Sequence, residues 1–182
     1  MKLRVGKTGM VATVAAALAA ASGGAGAAGF ALIEQSGSGM GNSFAGAAAV
    51  AEDASTVFFN PAGMSYLQGT QAAVAAHVIN VSSKFSGTAT NPVALGGGAA
   101  SGGTGGDAGD TAFVPNLYLV KPFGERLHFG LGVNVPFGLV TEYDSNWIGR
   151  FQGIKSELTT ININPSVSYK VTDVFSIGAG VN

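Results

Sequence analysis

Few residues here are of types and spacings that do chemistry. Gly102-Gly103-Thr104-Gly105-Gly106-Asp107 fits the first six positions of a calcium-binding nonapeptide, but the pattern occurs once. Gly109 also stands where a large apolar side chain is required, so the stretch reads as a flexible surface loop. Gly41-Asn42-Ser43-Phe44-Ala45 misses a nucleophile elbow by one residue and has no strand before it. His77 and His128 are isolated, lack metal-ligand spacing and occupy polar positions of alternating segments, which suits a lumen-facing place. Glu52-Asp53 flanks a turn, where capping fits better than acid–base catalysis. These residues give no catalytic centre, no metal site and no cofactor, and the chain is not read as an enzyme.

Two other groups act through the backbone. Asn60-Pro61-Ala62-Gly63 is a helix start: asparagine caps, and proline is tolerated at the first helical position because its missing N–H would have had no partner there. Pro136-Phe137-Gly138-Leu139 can end or kink a strand, because proline removes a ladder hydrogen bond and glycine tolerates a bulge. From the residues alone, Pro136 either closes the strand before a loop or kinks it beside a cavity.

The elements that hold these groups are unlike those of a water-soluble domain. Of 182 residues, 47% are hydrophobic, 10% are charged, 29 are glycine and none is cysteine, whereas a soluble domain carries about 25% charge. Lys2, Arg4 and Lys7 precede an apolar stretch over residues 10–21 and an Ala25-Gly26-Ala27 cleavage signal, which predicts a signal peptide over residues 1–27. The remainder holds six Lys and Arg against ten Asp and Glu, a formal charge of −4 with no basic patch for nucleic acid.

Residues 28–69 are glycine-rich and weakly hydrophobic. A loop with unusual backbone angles is expected over 29–41, an alanine-rich helical run over 43–50, and a helix from Asn60 ending by Gly69. Such a segment needs a container. From residue 70 onward the sequence predicts five strands, with period two clearest over 127–135, 159–169 and 175–181 and weaker over 70–82 and 112–120. Residues 123–126 and 171–173 make tight turns, while 85–111 and 136–157 are long connections. Short links at one end and long links at the other mark an outer-membrane β-barrel rather than a soluble sandwich. Tyr118, Phe123, Tyr169 and Phe175 lie toward the short-turn end, as an interfacial aromatic girdle does. A closed barrel needs about eight strands or more, so five imply an N-terminal fragment.

The stretch from Gly29-Phe30-Ala31-Leu32 to Ser36, and that from Ala51-Glu52-Asp53 through Asn60-Pro61-Ala62-Gly63-Met64, resemble the FadL-type long-chain fatty acid transporters of Gram-negative outer membranes. So do Phe113-Val114-Pro115-Asn116, Gly130 through Leu139, and Ile161-Asn162-Ile163-Asn164-Pro165-Ser166. The resemblance implies an all-β, antiparallel, fourteen-stranded transmembrane barrel, with residues 28–69 as a small helical plug and 70–182 as its first strands. It implies passive uptake of long-chain fatty acids or other hydrophobic molecules, released through a lateral opening at a kinked third strand. Phe30 and Leu32 become candidate ligand contacts, although hydrophobic anchoring alone explains Phe30. Asn60, Pro61 and Ala62 become candidates for holding the plug in its gating conformation, and Pro136, Phe137, Gly138 and Leu139 for the lateral gate. The implied partners are the hydrophobic ligand, outer-membrane lipid and lipopolysaccharide, and the barrel-assembly machinery. Uptake of aromatic hydrocarbons by the same fold, an outer-membrane enzyme and an adhesin are the alternatives. Basic residues to pair a ligand carboxylate are expected beyond Asn182.

Overall fold

The computed structural model describes residues 31–182; the expected signal peptide and Phe30 lie outside the described residues. The strands are β1 (Gln71–Asn80), β2 (Thr111–Phe123), β3 (Leu127–Asn134), β4 (Gly138–Glu142), β5 (Lys155–Thr159), β6 (Asn162–Thr172) and β7 (Phe175–Gly180). All pair antiparallel. Five form one sheet in the order β1-β2-β3-β6-β7, while β4 and β5 form a separate ribbon.

Side-chain alternation sets the two faces of the large sheet. Val74, Val78, Phe113, Leu117, Leu131 and Ile163 are exposed, whereas Asn116, Asn134 and Ser168 on the opposite face are each 1% exposed. The exposed side chains also meet across strands, as in Val74↔Leu117, Val78↔Phe113 and Val133↔Ile163. A water-soluble sandwich buries its apolar face. This sheet shows its apolar face outward and keeps its polar face covered, the arrangement of a wall set in lipid. His77 and His128 are buried on the covered face, as their sequence positions suggest.

Five predicted strands correspond to five staves, two of them interrupted. Asn134 pairs with Asn162 at the end of β3, and pairing resumes at Gly138 with Thr159. Between those pairs Val135, Pro136 and Phe137 on one stave face Thr160 and Ile161 on the other, one extra residue and hence a bulge. The β4–β5 ribbon therefore lies inside what the sequence presents as a long connection over 136–157. Its residues carry no period-two pattern, and one ion pair crosses it, Lys155 to Glu142 at 3.4 Å, with Glu157 of the same strand 3.2 Å from Lys155.

Residues 31–69, called the plug below for the role expected of them, contain two single-turn helices, α1 (Gly37–Met40) and α2 (Thr56–Phe59), then a 3₁₀ helix over Pro61–Tyr66. The helix expected over 43–50 is absent. A chain of turns replaces it, with Ser43, Phe44 and Gly46 at φ of 56°, 59° and 77°. Phe44 donates its amide to the Gly39 carbonyl at 2.7 Å and sets its ring 6.1 Å from that of Phe59. That packing overrides the helix propensity of the alanines. Among the described residues the unusual backbone angles thus fall after residue 41, not within 31–41.

Glycines on the covered face let the plug approach the wall. A Cβ on Gly130 would strike Met64 Sδ and lie 2.7 Å from Val57, and one on Gly178 would strike the backbone of Ala62. Tyr118 also points inward and is buried; the aromatics exposed toward the short turns are Phe123, Tyr169 and Phe175. The stretch 102–109 is packed rather than free. Gly103 and Asn146 share a hydrogen bond, Asp144 donates its amide to Gly105, and a Cβ on Gly105 would lie 2.8 Å from Trp147 Cβ. Glycine is required there for close approach, which in sequence looks the same as a flexible linker.

Replacing Gly178 with alanine should therefore cost about 1–3 kcal/mol of plug docking through overpacking. Faster amide exchange at Gly63 is the expected readout, with Gly153→Ala as the control because a Cβ there meets nothing within 4 Å and its backbone is not left-handed. Unchanged protection at Gly63 would mean that the glycine face does not seat the plug.

Candidate functional site

The interruption of β3 leaves an unpaired stretch of wall on two sides. β2 and β3 pair from Phe123↔Leu127 only as far as Leu117↔Val133. Thr111 to Asn116 therefore have no ladder partner toward β3 and β4. The resulting gap is an apolar cavity of about 180 Å³, with Phe113 and Val114 on one side, Val135, Leu139 and Val140 on the other, and Leu32 at its lining.

Hydrogen bonds from the plug repair much of the break. Leu32 donates its amide to the Pro136 carbonyl at 2.9 Å, and Ala31 forms a bridge with Phe137. Gln35 Nε2 donates to the Val135 carbonyl and to the Leu32 carbonyl, both at 3.0 Å. Gln35 Oε1 accepts from Asn134 Nδ2 at 2.7 Å, and the Tyr118 hydroxyl donates to the Gln35 carbonyl at 2.8 Å. Asn116 Nδ2 donates to the Glu34 carbonyl at 2.7 Å. On the far side, Thr160 Oγ1 accepts from the Phe137 amide at 3.1 Å and donates to its carbonyl at 2.6 Å. Gln35, Asn116, Tyr118 and Asn134 are all buried, where an unpaired polar group costs about 1–3 kcal/mol.

The candidates for the lateral gate are thus divided by the structure. Pro136 and Phe137 lie within the bulge, whereas Gly138 and Leu139 already belong to β4, paired with Thr159 and Leu158. Leu32 lines three cavities. Besides the gap, it borders a space of about 500 Å³ against Phe44, Phe58 and Phe59 within the plug. It also borders one of about 510 Å³ beside Pro136, Phe137 and Ile161. Among the described residues, no lysine or arginine lines any of the three.

Asn60 caps the 3₁₀ helix as its type suggests, its Oδ1 accepting from the Ala62 amide at 3.2 Å, with Pro61 in the first turn. Its Nδ2 also donates to Ala48 at 2.9 Å, tying the turn segment to the helix start. Ala62 offers its carbonyl to Ser65 and to Ser176 of β7, so the motif is docked on the wall. Asp53 joins α1 to α2, accepting from Ser38 Oγ at 2.7 Å and from the Ser55 amide at 2.8 Å. Burial opposes its ionisation, but bonds from Ser55 and Ser38 outweigh this and hold its pKa below the usual carboxylate value. Its contribution is therefore complete above that usual value and is lost as pH falls through the lowered one. Asp53 thus ties the start of α2 to α1, a structural role and not an acid–base one.

Gln35, Asn116, Tyr118, Asn134 and Phe58 were not legible as site residues. The one available signal was the larger polar side chains Asn116 and Asn134 on an inward face otherwise rich in glycine and serine.

The model of a family described as outer membrane protein transport protein (OMPP1/FadL/TodX) matches residues 18–182. The chain belongs to that family. Outer membrane protein P1 of Haemophilus influenzae is 39% identical over 163 residues, which cover 84% of this chain and 35% of that protein. The long-chain fatty acid transport protein of Escherichia coli K12 is 31% identical over 154 residues, 85% of this chain and 33% of that protein. Among solved structures, a crystal structure of a Pseudomonas aeruginosa FadL homologue superposes with a TM-score of 0.78 at 32% identity, covering 84% of this chain and 37% of that one. The chain thus spans about a third of the length of these relatives. This is a family of outer-membrane transport proteins and not of enzymes, in agreement with the sequence.

Tyr118→Phe removes the donor to the Gln35 carbonyl and should weaken the repair by about 1–2 kcal/mol. Amide exchange at Leu32 should then quicken by roughly tenfold. An unaltered rate would show that the plug is held at the break by other contacts.

Proposed function

We propose that residues 28–69 form the plug, and residues 70–182 the first wall strands, of a closed outer-membrane barrel for passive uptake of hydrophobic molecules. Its cargo is long-chain fatty acids or other apolar compounds, which leave sideways where the third stave is broken. The observation that carries this reading is the apolar gap between β2 and the broken stave, bordered by Leu32. Phe113, Val114, Val135, Leu139 and Val140 give the cavity a mostly apolar lining that suits an acyl chain, with Asp110, Thr111 and Thr159 as its polar members. It also opens where wall backbone lacks ladder partners, which lipid tolerates only beside a cavity or an opening. The names of relatives at 31–39% identity support outer-membrane transport. In this reading, export follows cleavage after Ala27, and the barrel-assembly machinery inserts the wall among lipid and lipopolysaccharide. Phe30 and Leu32 contact the ligand; Asn60, Pro61 and Ala62 hold the plug in position.

One observation favours a second cargo. With no lysine or arginine at the three cavities, an uncharged aromatic hydrocarbon fits them as well as a carboxylate does. Competition between labelled oleate and toluene for uptake separates the two: strong inhibition by toluene supports the hydrocarbon reading.

Pro136→Val combined with Gly138→Val restores ladder-competent backbone and adds two β-branched side chains beside the gap. In the full-length protein this pair should lower oleate uptake by about tenfold, a barrier change of about 1.4 kcal/mol, while the barrel still assembles. Uptake at the parent rate would refute passage through the wall at this place.

A further inference from the structure

Gln35 is 1% exposed and uses both ends of its side chain at the break. Its Nε2 joins the Leu32 carbonyl to the Val135 carbonyl, so one amide group ties the plug residue to the wall residue that begins the bulge. Its Oε1 is fixed by Asn134, the last residue of β3, and its carbonyl by Tyr118 of β2. Gln35 thus touches both banks of the gap, and what it holds in place is Leu32. Leu32 borders the space inside the plug, the space beside Pro136 and the gap in the wall. A side chain common to three cavities either separates them or joins them, according to where it is held.

We propose that Gln35 is a positioning residue that keeps Leu32 as the partition between the apolar space inside the plug and the opening in the wall. This rests on the lateral passage proposed above. Release of Gln35 lets Leu32 withdraw and merges the cavities, while the lower plug stays seated through Met64 against Gly130 and Ala62 against Ser176. The partition is therefore local. It is set at the break, by the Gln35 side chain acting with the Leu32 amide's own bond to the Pro136 carbonyl, and not by the plug as a whole.

Gln35→Met keeps length and approximate volume but removes the side-chain hydrogen bonds. The chain has no cysteine, so single reporters at Leu32→Cys and Met64→Cys can be introduced without background within it. In the full-length protein in outer-membrane vesicles, Gln35→Met should raise the maleimide labelling rate of Leu32→Cys by about tenfold and leave Met64→Cys protected. In the protein without reporters, the same substitution should raise uptake of labelled oleate several-fold at limiting concentration. Unchanged labelling at residue 32 would overturn the proposal, as would an equal rise at residue 64, which would mean loss of the whole plug. Raised labelling at residue 32 with unchanged uptake would overturn the partition role. Failure of the lateral passage itself is read separately, in the Pro136 and Gly138 variant that leaves Gln35 intact.

Discussion

A backbone amide or carbonyl facing hydrocarbon has no water to turn to, and each one left unpaired costs several kcal/mol. That constraint governs the broken third stave and much of the chain that precedes it. Three residues face two across the bulge, and Pro136 brings no N–H to the ladder. The break persists because groups from a distant part of the sequence meet its carbonyls. Leu32 and Gln35 supply donors to Pro136 and Val135 from about a hundred residues away. The plug is therefore part of the wall's hydrogen bonding as well as a filling for its interior.

For the plug to come that close, the covered face of the wall must be nearly free of side chains. Gly130 and Gly178 provide the clearance, and the 3₁₀ helix from Pro61 settles over them with Met64 and Ala62 in contact. The larger polar residues stand near the break, where Asn116 and Tyr118 reach the plug backbone at Glu34 and Gln35 and Asn134 reaches the Gln35 side chain. Small residues under the lower plug and long polar ones under its upper end give two kinds of attachment. The lower one rests on shape. The upper one rests on directed hydrogen bonds.

This division explains what could be read from sequence. Period-two alternation over 127–135, 159–169 and 175–181 located the staves, because a wall with one face in lipid imposes that pattern directly. The cap at Asn60 and the interruption at Pro136 were also legible, since both depend on backbone chemistry intrinsic to asparagine and proline. The β4–β5 ribbon was not, because no alternation marks it and its cross-strand charge pair, Lys155 with Glu142, joins residues at the far ends of a long connection. Nor were the turns over 43–50, where the contact of Phe44 with Phe59 overrides local propensity. Gln35 was hidden for a different reason. A glutamine in a glycine-rich segment has no periodic neighbour to declare its direction, and its partners lie on strands far along the chain.

The two sides of the break are bonded differently, and this bears on how a wall can open without coming apart. Toward β6, Phe137 exchanges two hydrogen bonds with the Thr160 hydroxyl, from a residue in the adjoining stave itself. Toward β2 there is no such neighbour, and the links from the break run into the plug through Gln35 and Leu32. Each plug-side bond is worth about 0.5–1.5 kcal/mol net where its groups find new partners, and the bonds toward β6 do not depend on the plug. In the lateral passage proposed above, the gap would therefore widen on the β2 side, while the third stave stays fastened to its other neighbour through Thr160.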